Sequence, residues 1–343
     1  MRQHGNTLYV TTQGSFVGKE DEAVVVRVEG ELKGRVPVHT LDGVVCFGQA
    51  TCSPALMALC CEHNVTVSFL TEHGRFLGRV EGATPGNVLV RREQYRRADD
   101  EVASARIASA IVAGKVANCR TVLLRARRDH PNGPGRDSLT AAAERLKGRL
   151  RELVTGTPLD VVRGVEGDCA RTYFEVFDEL ITSQKESFAF HGRTRRPPLD
   201  PINSLLSFLY VLLEHDVRGA LHASSLDPAV GFLHRDRPGR PGLALDLMEE
   251  LRPVVADRLA LSLVNLRQVG ADGFEKAESG AIVMDDETRK AVITAYQHRK
   301  QETITHPFLE ERITMGLVPH VQARLMARYL RGDLDGYPPF LWR

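Results

Sequence analysis

The hydrophobic pattern of this chain changes its period near residue 92, and that single change limits the folds that the chain can adopt. Up to that point, short β-branched segments such as 23–28 and 65–70 alternate with Gly, Asp and Glu, which is typical of strands joined by turns. Beyond a charged stretch, apolar residues recur at the spacing of α-helices. The segments with this spacing are 102–128, 138–153, 159–181, 203–221, 243–264, 286–303 and 310–331.

These patterns predict an α+β protein in which an N-terminal, mostly antiparallel β domain precedes a larger, all-α domain. We assign residues 1–92 to the β domain, 93–101 to a linker and 102–343 to the helical domain. A chain of 343 residues is long enough to form two hydrophobic cores.

Composition narrows the class of protein further. The chain carries 45 Lys and Arg against 44 Asp and Glu, so any contact with nucleic acid must come from local basic patches rather than from overall charge. The sequence contains no apolar run of the roughly 18 residues that span a bilayer. No apolar stretch follows Arg2 of the kind that a secretory signal has. Both observations favour the cytoplasm.

The six cysteines do not follow the spacing of a disulfide framework or a zinc ribbon, because none are arranged as Cys-x-x-Cys. We expect them to be small buried hydrophobic side chains in a reducing compartment. A zinc site made of Cys60, Cys61 and His63 is a less favoured alternative, because its spacing is wrong.

A histidine followed by an acidic helix is the strongest chemical signal. His234 precedes a helical segment in which Asp246, Glu249 and Glu250 are predicted to share one side, since residues three and four apart lie on the same face. An imidazole together with carboxylates suits Mn²⁺ or Mg²⁺. The plainer alternatives are a structural histidine after an apolar triplet and first-turn acids that the helix dipole favours.

Arginines near these acids indicate a phosphate-bearing substrate. Solvated arginines are the plainer alternative, because charge runs are common on protein surfaces. The candidate DNA contacts are Arg193, Arg195 and Arg196 in a Pro-rich loop, and Arg235 and Arg237 in the loop after the histidine.

Glu166 lies in a segment that glycines weaken as a helix. Gly164 and Gly167 flank it, and each lowers helix propensity by roughly 1 kcal/mol. Such glycines are tolerated where a ligand or another part of the backbone approaches closely. Without further evidence, Glu166 is more simply a solvated helix residue.

Several motifs follow one another in a specific order, although each is weak by itself. They are Glu166-Gly167 with Ala170-Arg171 and Tyr173-Phe174, the run 193–210, Leu226-Asp227-Pro228, Gly231-Phe232-Leu233-His234, the run 243–253, and, in the β domain, 44–48 and Gly86-Asn87 with Arg91 and Gln94. Over nearly its whole length the chain therefore resembles the CRISPR-associated adaptation endonuclease/integrase family, the core subunit of the spacer-acquisition machinery. The details are most similar to the branch that accompanies type I-C systems.

The resemblance implies a catalytic helical domain in which Glu166, His234 and Glu249 bind Mn²⁺ or Mg²⁺. Asp246 matches a further catalytic acid. Helical spacing alone does not separate Glu249 from Glu250, and the family pattern favours Glu249. The implied reaction is phosphoryl transfer, in which a prespacer 3′-hydroxyl attacks a phosphodiester at the edge of a CRISPR repeat.

The resemblance also implies partners. Family members form homodimers through the β domain and assemble with a small ferredoxin-like adaptation subunit into a heterohexamer on double-stranded DNA. The alternatives are a metal-dependent nuclease for branched or repair DNA, a non-catalytic DNA-binding subunit, and an unrelated α+β protein with a chance match. The first alternative would use the same metal site. The complete set of Glu166, His234 and Glu249 argues against the second.

Overall fold

Two four-stranded sheets and one helix form the N-terminal domain. The computed structural model describes residues 6–82, 87–131, 133 and 135–342, so residues 1–5 and Gly86 of the sequence arguments lie outside it. The strands are β1 (Thr7–Val10), β2 (Phe16–Glu20), β3 (Ala23–Val28), β4 (Glu31–Pro37), β5 (Gly43–Phe47), β6 (Thr51–Cys52), β7 (Thr66–Leu70) and β8 (Phe76–Val80), with helix α1 (Pro54–Glu62) after β6. One sheet has the order β1-β5-β7-β8 and the other β4-β3-β2-β6.

The organisation of a β domain followed by helices is confirmed, and the predicted antiparallel pairing holds for half of the strand pairs. Pairs β2–β3, β3–β4 and β7–β8 are antiparallel, but β1–β5, β5–β7 and β2–β6 are parallel. Parallel neighbours need long connections, which the β2–β4 segment and α1 supply. Strand periodicity reports that a strand exists, but not which strand pairs with it.

The segment predicted as a linker over 93–101 is mostly helical. Helix α2 (Val88–Asp99) begins after Asn87, whose side chain caps it. Gln94 is buried within α2, and its side-chain amide donates to two loop carbonyls, one of them that of Asp227, at 2.7 and 2.8 Å. Charged composition therefore suggested a linker where a buried glutamine and the buried Val90 hold a helix against the rest of the protein.

Helices dominate the second domain, as predicted, but the domain is not all-α. Two short hairpins occur in it, and their three-residue strands are too short for an alternating pattern to register in the sequence. The helices are α3 (Glu101–Asp129), α4 (Arg136–Leu150), α5 (Leu159–Glu175), α6 (Pro201–Ala223), α7 (Gly242–Arg252), α8 (Arg258–Asn265), α9 (Asp286–Gln301) and α10 (Val318–Leu330). The hairpins pair β9 (Phe274–Lys276) with β10 (Ile282–Met284), and β11 (Thr303–Thr305) with β12 (Arg312–Thr314).

Helix α3 is the central element of the second domain. It packs against α4, α5 and α7. Among the helices in the described ranges, α3 alone is long and apolar enough to cross a membrane, and 61% of that apolar stretch is buried inside the protein. A core helix meets the same criteria, and the packing of α3 on three other helices makes it a core helix.

Four of the six cysteines are buried as predicted, and Cys52 and Cys61 are half-buried. All six are free, and Cys46, Cys60, Cys119 and Cys169 are buried. Burial raises the pKa of Cys60 to about 12, so its thiol stays protonated at neutral pH. This environment does not favour the alternative zinc site.

Candidate metal centre

The imidazole of His234 is held by the carboxylate of Asp246. His234 Nδ1 lies 2.6 Å from Asp246 Oδ1. The same carboxylate accepts hydrogen bonds from the backbone N–H groups of Phe232, Leu233 and His234, at 2.6 to 3.0 Å. Because Asp246 serves as the acceptor in all these contacts, Nδ1 of the ring carries the hydrogen and Nε2 presents a lone pair.

Two glycines allow the loop that carries the histidine to touch the start of α7. A Cβ atom on Gly231 would lie 2.6 Å from Gly242 C and 2.7 Å from Asp246 Oδ2. A Cβ atom on Gly242 would lie 2.6 Å from the carbonyl oxygen of Ala229. Larger residues at either position would push loop and helix apart, so these glycines set the approach that aims the imidazole.

Glu249 and Glu250 face different parts of the protein, although both are buried on α7. Glu249 Oε1 lies 3.9 Å from His234 Nε2. Glu250 accepts hydrogen bonds from the Tyr337 hydroxyl and, at 2.7 Å, from the backbone N–H of Phe340. The expectation that both acids share a side with Asp246 therefore fails for Glu250. Of the two, Glu249 is the acid at the histidine.

A lysine that the sequence arguments did not use joins Glu166 to Glu249. Lys115 on α3 contacts Glu166 Oε1 on α5, and its Nζ lies 2.5 Å from Glu249 Oε2 on α7. Arg252, one turn after Glu249, forms an ion pair with the other oxygen, Oε1. Helices α3, α5 and α7 and the loop before α7 thus bring Glu166, His234 and Glu249 together.

The two cations keep Glu249 ionised despite its burial. Burial alone would raise the pKa of Glu249, but Arg252 and Lys115 outweigh it and lower the pKa to about 2. Burial would lower the pKa of Lys115, yet Glu249 and Glu166 raise it above its usual range. The ammonium group of Lys115 therefore holds Glu249 Oε2 in a buried ion pair at 2.5 Å.

The donor atoms at this place fit Mn²⁺ or Mg²⁺. One imidazole and two carboxylates offer the nitrogen and oxygen ligands that these ions accept. In the part of the chain that the structure describes, no group of three or more His, Cys, Asp or Glu side chains is arranged to hold a metal ion. Lys115 lies between Glu166 and Glu249. Asp246 lies behind His234, where a carboxylate typically orients a metal-binding imidazole.

Arg193 is held by its own loop. Its guanidinium donates to Asn203 Oδ1 at 2.7 Å and to Ser207 Oγ at 3.1 Å. It also lies 5.3 Å from the centre of the Tyr210 ring. These contacts give Arg193 a structural role in joining the Pro-rich loop to α6.

The other predicted DNA contacts are accessible. Arg195, Arg196 and Arg237 are exposed. Arg235 is also exposed, with its guanidinium 3.1 Å from Asp160 at the start of α5. These four side chains can reach a phosphate without unfolding any local structure.

Sequence reasoning missed Lys115 and Arg252, although both left a signal. Lys115 is the only charged residue between Arg106 and Arg120, in a stretch that is otherwise apolar or small. A lone charge in a buried helix needs a partner of opposite charge. Arg252 follows Glu249 by three residues, a spacing at which opposite charges on a helix meet.

Comparison with known proteins identifies the family. The family described as CRISPR associated protein Cas1 matches residues 8–298. The protein of Chlorobaculum tepidum named CRISPR-associated endonuclease Cas1 1 is 52% identical over 343 residues, which is 100% of both chains.

Solved structures share the fold. A casposase bound to integration product matches with a TM-score of 0.84 at 21% identity, over 98% of this chain and 94% of that one. A chain of a Cas6-RT-Cas1–Cas2 complex matches with a TM-score of 0.83 at 24% identity, over 100% of this chain and 36% of that one. The family match and the full-length identity lead to one conclusion: this chain belongs to the Cas1 family of CRISPR-associated endonucleases.

Proposed function

We propose that this protein is a divalent-metal-dependent DNA endonuclease and integrase that inserts new spacers into a CRISPR array. The oxygen of a prespacer 3′-hydroxyl would attack a phosphodiester at the edge of a repeat. The old phosphorus–oxygen bond breaks, and the leaving strand takes up a proton as its own 3′-hydroxyl. The observation that carries this proposal is the convergence of three side chains, because Lys115 joins Glu166 to Glu249 and Glu249 Oε1 lies 3.9 Å from His234 Nε2.

Each residue has a defined part in the proposal. Glu166, His234 Nε2 and Glu249 hold Mn²⁺ or Mg²⁺, which would polarise the phosphate and stabilise the negative charge that develops on it. Asp246 keeps the His234 ring in the tautomer that leaves Nε2 free. A ring nitrogen that serves as a ligand cannot also accept the proton of the attacking hydroxyl, so His234 is a ligand and not the general base.

DNA would be bound mainly through its backbone. We assign phosphate contacts to the exposed Arg195, Arg196, Arg235 and Arg237, which makes binding to double-stranded prespacer and repeat strongly salt-dependent. Arg193 would contribute by positioning the loop that carries Arg195 and Arg196.

The proposal includes partners and a compartment. We infer a homodimer formed through the β domain, joined by a small ferredoxin-like subunit in a heterohexamer. The fold match within a Cas6-RT-Cas1–Cas2 complex supports the use of a Cas partner subunit. Six free cysteines suit the reducing cytoplasm. The assignment to the type I-C branch stays a prediction.

Strand transfer on a labelled branched DNA, built to mimic a half-site integration intermediate, tests the proposed reaction. The comparison is between the wild-type protein and His234→Ala, with Mn²⁺ and with chelator. His130→Ala is the matched control, because His130 is exposed just beyond the end of α3, about 22 Å along the helix axis from Lys115.

We expect Mn²⁺-dependent rejoining by the wild type and by His130→Ala, and none by His234→Ala. Cleavage without rejoining would instead favour the nuclease for branched or repair DNA. Tight binding with neither reaction, in the presence of the partner subunit, would favour a non-catalytic subunit.

A further inference from the structure

We propose that Lys115 is a positioning residue that holds Glu166 and Glu249 together before metal binds, and that an incoming divalent ion must displace its ammonium group. This inference rests on the proposed function, since it concerns the ion that these two carboxylates would bind. It makes Lys115 both a support for the metal-free site and a competitor of the ion.

The contacts of the ammonium group support the competition. Lys115 Nζ touches Glu166 Oε1 and lies 2.5 Å from Glu249 Oε2, so it occupies the space between the two carboxylates. An ion bound by one oxygen from each carboxylate would lie about 2.1 Å from both oxygens, in the same space. The side chains of Lys115 and Glu249 are only 10% and 3% exposed, which leaves little room for both cations.

Formal charges support the same conclusion. Glu166, Glu249 and the buried Asp246 contribute three negative charges, while Lys115 and Arg252 contribute two positive charges. With a neutral His234 ring, the metal-free cluster therefore carries one net negative charge. A divalent ion would leave one excess positive charge in a mostly buried cluster if Lys115 stayed, which a low-dielectric environment disfavours, and none if its ammonium group withdrew.

Lys115, rather than Arg252, is the cation that can leave. Arg252 contacts Glu249 Oε1 and lies 5.0 Å from the centre of the Tyr210 ring, so it is held on two sides. Arg252 contacts Oε1 of Glu249, whereas Lys115 contacts Oε2. The contact of Arg252 can therefore persist when an ion binds Oε2. The ammonium of Lys115 ends a flexible four-carbon stem, whose rotamers allow it to withdraw.

Equilibrium binding of Mn²⁺, followed by electron paramagnetic resonance of the free ion, tests this proposal without relying on activity. Lys115→Met keeps the length of the side chain and removes its charge. We expect it to bind Mn²⁺ about tenfold more tightly than the wild type, because the ion no longer has to displace an ion-paired cation from a low-dielectric site. Without metal, it should unfold at a lower temperature, because the buried Glu249 and the half-buried Glu166 lose a shared counter-charge.

Two further variants separate this effect from a general loss of charge. Lys115→Arg keeps the positive charge and should bind Mn²⁺ nearly as the wild type does. Lys147→Met removes the same group from an exposed pair with Glu144 on α4, and should change neither Mn²⁺ binding nor the unfolding temperature. Lys115→Gln gives the same comparison if Lys115→Met does not fold without metal.

The outcomes for the inference and for the metal site are distinguishable. If the wild type binds Mn²⁺ and the uncharged Lys115 variants bind it equally or more weakly, the competition is disproved while the metal site stands. If the wild type binds no Mn²⁺, the proposed metal site itself fails. Tighter binding by the uncharged variants, but not by Lys115→Arg or Lys147→Met, would establish the competition.

Discussion

The ring of His234 and the carboxylate of Asp246 form one structural unit. Nδ1 and Oδ1 are 2.6 Å apart, the backbone N–H of His234 donates to the same oxygen at 3.0 Å, and Asp246 is fully buried. Glu249, one turn further along α7, approaches the opposite nitrogen of the ring. A single helix therefore supplies both the acid that orients the histidine and an acid that can share an ion with it.

We expect Asp246→Asn to weaken Mn²⁺ binding by about 10- to 100-fold. Asparagine has one acceptor oxygen, so it cannot receive the N–H groups of Phe232, Leu233 and His234 and also fix the ring tautomer. Calorimetric titration with Mn²⁺ measures the effect. Asp137→Asn, an exposed acid in the first turn of α4, is the control, and equal affinity in both variants would contradict the positioning role.

Glu249→Gln and Glu250→Gln are a matched pair, since the same change is made at neighbouring buried residues. Glu249→Gln should abolish both Mn²⁺ binding and strand transfer, because it removes a charged ligand. Glu250→Gln should retain both, because Glu250 points to Tyr337 and Phe340 instead. The reverse pattern, measured by titration and by the branched-DNA reaction, would show that the wrong acid has been chosen.

Glu250 should make the stability of the protein depend on pH. Burial raises the pKa of Glu250 from 4.5 to about 7, although hydrogen bonds from Tyr337, Phe340 and Gln322 oppose the rise. An acid whose pKa is higher in the folded state stabilises the fold fully below its unfolded pKa, and loses that stabilisation as the pH rises through its folded pKa.

Glu250→Gln has no proton to lose, so its stability relative to the wild type should increase between about pH 5 and pH 8. At about 1.4 kcal/mol per pKa unit, the upper limit of this increase is about 3 kcal/mol. Denaturant unfolding of both proteins at the two pH values measures it. A stability difference that does not change with pH would mean that Glu250 titrates normally.

Replacing the arginines of the Pro-rich loop should affect DNA binding at two positions and protein stability at the third. Arg195→Ala and Arg196→Ala should weaken duplex binding and each reduce the slope of log K against log salt by about 1, with little change in unfolding temperature. Arg193→Ala should instead lower the unfolding temperature, because it removes the hydrogen bonds to Asn203 and Ser207.

Duplex binding measured over a range of salt concentrations separates these effects. Lys33→Ala on β4 is the control for loss of an exposed cation far from the loop in sequence. Unchanged salt slopes for Arg195→Ala and Arg196→Ala would remove this loop from the DNA interface.

Long elements with a strong period could be predicted from the sequence. Helices α3 and α6 lie within a few residues of their predicted bounds, because many apolar residues repeat at helical spacing. The pairing of β1, β5 and β7 could not be predicted, since parallel and antiparallel strands share the same two-residue period. The segment 93–101 was predicted as a linker, although most of it is helical, because α2 buries only Val90 and the polar Gln94 and so has no apolar periodicity.

The metal centre could be predicted only in part. Residues Glu166, His234 and Glu249 lie in recognisable local motifs, and the structure brings them together. Glu250 is turned away from His234 by its hydrogen bond to Phe340, which lies 90 residues later in the chain. No local sequence pattern reveals this contact, so the sequence does not show which of Glu249 and Glu250 faces the histidine. Lys115 lies 51 residues before Glu166 on another helix, so its place between the carboxylates is a property of the packed helices.

The most direct test of the metal centre is a crystal structure of the protein grown with Mn²⁺, with the ion located by its anomalous scattering. We expect one anomalous peak within coordination distance of Glu166, His234 Nε2 and Glu249, with Lys115 Nζ moved away from the two carboxylates. A peak coordinated by Glu250, or none near His234 while ions occupy other sites, would contradict the account.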